Sequence, residues 1–261
     1  FRGSFVICLL TSKGTCMRIN RASFTIGFLL LFAVYHFPEF FAAFWIMAVF
    51  KIGFLLVAFG LARYQGFRGL GGYALNMHPG WISNLGKGLL TGIVFFGLSV
   101  FVSVLLGYEQ YLSVETLAVF AKQLPLVLVM TFFPSIAEDI LTRGYLYGHL
   151  KDAMTENNFV ILSAAVFVLN HFWRLADHPS VHTYLFLMGV ATALALCRSG
   201  SLWMAFGIHW GSNIAYETNL SLIKTEAVTT GHMPNWMLAA CFGLLIVFLA
   251  MVPLQRKQSP G

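Results

Sequence analysis

The stretch SIAEDILTRG, Ser135 to Gly144, puts two adjacent carboxylates and a guanidinium at the end of a long apolar run. On a helix, Asp139 and Arg143 stand at i and i+4 with the acid first, the favourable order for an ion pair, and Glu138 projects about 100° away from them. Arg143 can therefore neutralise Asp139 and leave Glu138 without a local partner. A structural alternative makes Glu138 the far end of an S-x-x-E capping box that starts at Ser135, just after Pro134. Two other apolar runs carry histidine. AAVFVLNHFW sets Phe167 four residues before His171, and GIHWGSN sets His209 four residues before Asn213. Each pair shares one helix face, so His209 and Asn213 can present an imidazole and a carboxamide to the same point. One buried histidine is usually a hydrogen-bonded packing residue. Two of them, with an asparagine and an unpaired glutamate in apolar segments, point to a polar cavity, because ionisable groups at membrane depth are costly and line cavities or pathways.

The elements that must hold these groups are transmembrane helices. The chain has 261 residues, 58% of them hydrophobic, 16% aromatic and only 10% charged, with a mean hydropathy of +0.77; a soluble domain carries about 25% charged residues. The reading is an all-α, polytopic helical membrane protein with an intramembrane active-site cavity. About eight apolar segments lie near residues 24–37, 40–62, 86–106, 117–134, 159–173, 182–197, 201–217 and 235–254. Several fall short of the roughly 20 residues of a full span, so tilted, broken or re-entrant segments are expected. The organisation expected is 1–23 as an N-terminal extension with 1–16 read as extraneous, 24–116 as N-terminal transmembrane helices, 117–217 as the core, and 218–261 as a last loop, helix and short basic tail.

The charges suggest an orientation. With the amino terminus in the cytoplasm, Lys13, Arg18, Arg21, Arg63, Arg68, Lys87, Arg143, Lys151, Arg198, Arg256 and Lys257 fall on the cytoplasmic side and Arg174 and Lys224 opposite, eleven against two. That split satisfies the positive-inside rule with both termini cytoplasmic. The net charge of +6 comes from basic residues scattered singly at segment ends, with no basic stripe for nucleic acid. Cys8, Cys16, Cys197 and Cys241 form no CxxC pair. GFRGLGG, residues 66–72, follows no strand and reads as a flexible cytoplasmic loop, not a phosphate cradle. Lys51 and Lys122 read as snorkelling or helix-end residues. His178 and His182 read as extracytoplasmic loop residues, and Glu217 as a cap or a cavity wall.

EDILTRG (Glu138–Gly144), FVLNH (Phe167–His171) and HWGSN (His209–Asn213) resemble the ordered motifs EExxxR, FxxxH and HxxxN of the CPBP family, which groups CAAX proteases with bacteriocin-processing Abi proteins. The resemblance covers roughly 117–217. It departs at Asp139, where the family usually has a second glutamate. It implies an intramembrane endopeptidase whose site lies in a helical bundle open toward the cytoplasmic side. By position it makes Glu138, His171, His209 and Asn213 the catalytic set, with Asp139 and Arg143 in support.

Peptide hydrolysis needs an activated water, a stabilised oxyanion and a proton for the leaving amine. In a desolvated site Glu138 is a stronger base than in water, and His171 can hold the same water, while His209 and Asn213 can donate to the oxyanion. This mechanism requires no cofactor. Glu138, His171 and His209 also form a three-ligand set suited to catalytic zinc with water in the fourth position. The expected partners are membrane lipid and a hydrophobic peptide or lipidated protein as substrate, with no nucleic acid. The compact chain and short loops suggest a bacterial inner membrane. A second class of function is a non-catalytic scaffold or bacteriocin-immunity protein that binds a peptide without cutting it.

Overall fold

A computed structural model describes residues 7–10, 16–19, 21–41, 43–228 and 232–252. Expectations for the remainder of 1–16, and for the basic tail with Arg256 and Lys257, lie outside the described residues. Ahead of the first helix, β1 (Ile7–Leu10) and β2 (Cys16–Ile19) pair antiparallel. The rest is helical: α1 (Arg21–His36), α2 (Phe44–Tyr64), α3 (Trp81–Leu105), α4 (Leu117–Asp139), α5 (Tyr145–Leu150), α6 (Glu156–Asn170), α7 (Pro179–Ser199), α8 (Leu202–Thr218) and α9 (Met233–Met251). The chain is an all-α polytopic membrane protein. Among the described residues six segments are long and apolar enough to cross a membrane, the longest being the continuous run 117–150 through α4 and α5. At 15 and 17 residues, α6 and α8 are too short to qualify, yet both are packed among the longer helices, which matches the short spans expected from sequence.

Successive long helices alternate in direction, so loops gather at two ends. At one end, β3 (Glu109–Tyr111), after α3, pairs antiparallel with β4 (Thr225–Ala227), after α8. Trp173 Nε1 there donates to Glu39 at 2.7 Å, and the His178 and His232 rings stack with centroids 4.0 Å apart. At the other end, Leu202 N–H donates to the Ala74 carbonyl at 2.9 Å and Arg198 to the Ala250 carbonyl at 2.9 Å. The connector 66–73 belongs to this second end and is not a loose loop. It winds into a 3₁₀ turn, Gly69–Tyr73, in which Tyr73 is fully buried. Gly66 and Gly69 supply the positive φ the turn requires, and Gly148 of α5 lies against the Gly72 backbone.

The closest helix pair is α3 with α8. Gly88 and Gly92 face Gly207 and Gly211, and a Cβ added at any of the four would collide with backbone of the opposite helix, a carbonyl oxygen nearest in each case. Small residues at this spacing let helices approach where apolar lipid offers no hydrophobic drive.

Candidate active site

Proline at 134 does not end α4. The helix runs through it to Asp139, then passes into a single π-helical segment, Ile140–Gly144, before α5. No helix starts at Ser135, so the capping-box reading fails: Ser135 Oγ donates to the Thr131 carbonyl at 2.7 Å and Glu138 is free to face inward. The loosened π turn finds outside partners, with Ser163 Oγ of α6 donating to the Thr142 carbonyl at 3.0 Å. Such π segments are frequent at functional sites.

Glu138, Asp139 and Arg143 are all buried, Asp139 and Arg143 completely. Arg143 pairs with Asp139 as the i, i+4 spacing anticipates, and its guanidinium lies 4.8 Å from the Phe167 ring centroid. Because it is buried, Arg143 is not a loop charge, and it leaves the cytoplasmic tally made from sequence. Asp139 Oδ1 also meets His209 Nδ1 at 2.9 Å. An anionic acceptor there makes Nδ1 the protonated nitrogen and turns Nε2 toward the site. Nε2 lies 3.7 Å from Glu138 Oε2. From α6, His171 brings Nδ1 to 3.6 Å from Glu138 Oε1, while the same nitrogen donates to the Phe167 carbonyl at 2.8 Å. Asn213, one turn beyond His209, donates through Nδ2 to Ser135 Oγ at 2.9 Å. Three helices thus bring Glu138, His171, His209 and Asn213 together, with Asp139 and Arg143 directly behind.

Sequence reasoning missed a second set. Asn170 Nδ2 donates to Glu138 Oε1 at 2.9 Å, and Asn170 Oδ1 is 2.9 Å from His36 Nε2. His36 Nδ1 reaches Glu39 Oε2 at 2.7 Å. Lys51, read as a snorkelling residue, is 3% exposed; its ammonium donates to the Tyr35 carbonyl at 2.9 Å and meets Glu39 at 3.4 Å. The clue in the sequence was a glutamate between the first two apolar runs and a lysine inside the second, twelve residues apart.

The four grouped side chains line a cavity of about 360 Å³, whose apolar walls include Phe96, Phe167, Leu185, Met188, Leu238 and Phe242. Its outer part is lined by Glu109, Arg174, Asn219 and Asn235, from the loop end that carries β3 and β4. Glu217 is not among its walls. Burial at this rim raises the Glu109 carboxyl above the usual glutamate range, against the opposing hydrogen bond from Thr225. The start of α1 at Arg21 and the end of α9 at Met251 lie at the opposite end. The two expectations, cytoplasmic termini and a cavity open to the cytoplasm, therefore exclude each other.

The zinc reading can be tested on the donors themselves. Glu138 Oε1 is taken by Asn170, and the His171 nitrogen nearest Glu138 is taken by Phe167. Glu138 Oε2 and His209 Nε2 face each other at 3.7 Å without such a bond, and among the described residues no three His, Cys, Asp or Glu side chains stand grouped as a metal cage.

The class the fold and site define is a multi-helix membrane bundle with a buried glutamate, two histidines and an asparagine around one cavity. Residues 120–215 match the family model for type II CAAX prenyl endopeptidase, Rce1-like. The match covers all three motifs, bears out the resemblance to CAAX proteases and supports a CAAX-type intramembrane endopeptidase. No curated protein matches the chain.

Proposed function

We propose that the protein hydrolyses a peptide bond in a membrane-associated substrate with Glu138 as general base. The observation that carries this reading is the convergence of Glu138 with His171 and His209, at 3.6 and 3.7 Å, from three separate helices on one cavity. Those separations are too long for direct hydrogen bonds and suit a shared water. His171 holds the water through Nε2, the ring nitrogen that the Phe167 carbonyl leaves free, Glu138 takes the water's proton, and the oxygen attacks the scissile carbonyl. His209 Nε2 accepts the proton from Glu138 and, once protonated, donates to the oxyanion with Asn213 beside it. The leaving amine then takes that proton. The apolar walls suit a hydrophobic or lipidated stretch of substrate.

The test is cleavage in detergent of a mixed set of hydrophobic and prenylated peptides by wild type and Glu138→Gln, each with and without a strong zinc chelator. The variant is expected to stay folded and lose turnover about a hundred- to ten-thousandfold, with no effect of chelator on wild type, since that is what removing a general base costs. Turnover by the variant sinks the role of Glu138, and chelator sensitivity brings zinc back. Binding of a prenylated peptide by wild type without cleavage would favour the scaffold class.

We read the end carrying Arg21, Arg63, Arg68, Lys87, Lys151 and Arg198 as cytoplasmic, in keeping with a bacterial inner membrane. The cavity rim, with Glu109, Glu115, Asp177 and Glu226 against Lys122, Arg174 and Lys224, then faces the other side. Cysteines introduced at Glu115 and Arg68 should label differently in intact cells with a membrane-impermeant maleimide, Glu115 from outside and Arg68 only after lysis. The reverse pattern inverts the assignment.

A further inference from the structure

Glu138 is held by a chain of side chains that leads away from the catalytic set. A carboxylate only accepts, so the Asn170 amide must turn its NH₂ toward Glu138 Oε1, leaving its carbonyl oxygen for His36 Nε2, each contact being 2.9 Å. An amide turned over would set carbonyl against carboxylate. What prevents this is the donor at His36 Nε2, which only the carbonyl end of Asn170 can satisfy; with Glu39 accepting at Nδ1, the arrangement has the His36 ring donating from both nitrogens.

His36 is itself fixed. Its Nδ1 meets Glu39 at 2.7 Å, and Glu39 also accepts from Trp173 Nε1 at 2.7 Å. Lys51 sits 3.4 Å from the same carboxylate. The ring is wedged between Phe32 and Phe172, with centroids 4.3 and 4.9 Å away. His36 and Asn170 are 4% and 5% exposed, so water does not compete for these bonds.

We propose that His36 is a positioning residue for Glu138, acting through Asn170: it locks the amide so that Oε1 is tied down and Oε2 is left facing His209 Nε2 and the reacting water. This rests on the reading of Glu138 as general base. The first helix, which lies outside the matched residues 120–215, thereby becomes part of the catalytic apparatus. His36 touches neither water nor substrate, and its effect belongs to the chemical step.

The experiment measures kcat and KM for a prenylated peptide that wild type cleaves, together with the melting temperature, for His36→Phe, His36→Gln and Glu138→Gln. Phe keeps the aromatic packing and removes the donor, whereas the Gln amide nitrogen occupies nearly the place of Nε2. His36→Phe is expected to lower kcat about ten- to a hundredfold with KM unchanged, the worth of a hydrogen bond to a charged group. His36→Gln should recover most of it. Wild-type kcat in a folded His36→Phe overturns the proposal, as does equal loss in both variants. If His36→Phe does not fold, Asn170→Ala removes the amide through which His36 acts, and wild-type kcat there overturns it equally. Activity in Glu138→Gln would instead overturn the reading of the base.

Discussion

The two faces of α8 are built on opposite principles. One presents Gly207 and Gly211 to α3, so closely that no side chain fits between them. The other, two residues or about 200° around the helix, presents His209 and Asn213 to α4, where each is placed by a single hydrogen bond, to Asp139 and to Ser135. The first face is fixed by shape and the second by chemistry. Backbone contact on the dry side sets how far α8 stands from its neighbours, and on the wet side that distance becomes the 3.7 Å between His209 and Glu138.

Substitutions can separate the two. The largest effect is expected from Asp139→Asn on the wet side, which leaves Arg143 buried without its counter-ion and should cost about 3–5 kcal/mol, read as a large drop in melting temperature in detergent. The same change lets the Asn amide donate to His209 Nδ1 and shift its protonated nitrogen to Nε2, so activity should fall further than the folded fraction does. Gly211→Ala on the dry side should cost about 1–3 kcal/mol by overpacking against the Leu89 backbone. There, activity per folded molecule should also fall, because α8 must move and carry His209 with it. If Gly211→Ala lowers stability and leaves kcat untouched, the dry face does not set the distance on the wet one.

How much the sequence reveals depends on the range of the interactions. The pair of Asp139 with Arg143, the shared face of His209 and Asn213, and the apolar spans are local patterns with helical spacing, and the structure contains them. Asn170 and His36 were missed because their link joins residues 134 apart and no local spacing marks it. His36 stands at the end of the first apolar run and Asn170 beside His171, and neither position carries a spacing that ties it to Glu138. Arg143 was counted as a topology charge because a sequence shows that an arginine is present, not that its counter-ion has taken it out of the water. GFRGLGG was read as a flexible loop from its glycines; the structure winds its second half into a 3₁₀ turn that ends on the next residue, the buried Tyr73.

The π-helical segment Ile140–Gly144 acts as a phase shifter in the longest helix of the protein. A π turn holds about one residue more than an α turn, so the helix beyond it is rotated relative to the helix before it. Upstream, the phase points Glu138 and Asp139 at α6 and α8. Downstream, a different phase points Tyr145 at α1, where its hydroxyl donates to the Phe24 carbonyl at 2.8 Å. Winding the same five residues, 140–144, at ordinary α pitch would swing one half by roughly 90° against the other, so that only one half could stay docked. The surplus residue lets a single helix serve two clients that lie at different bearings.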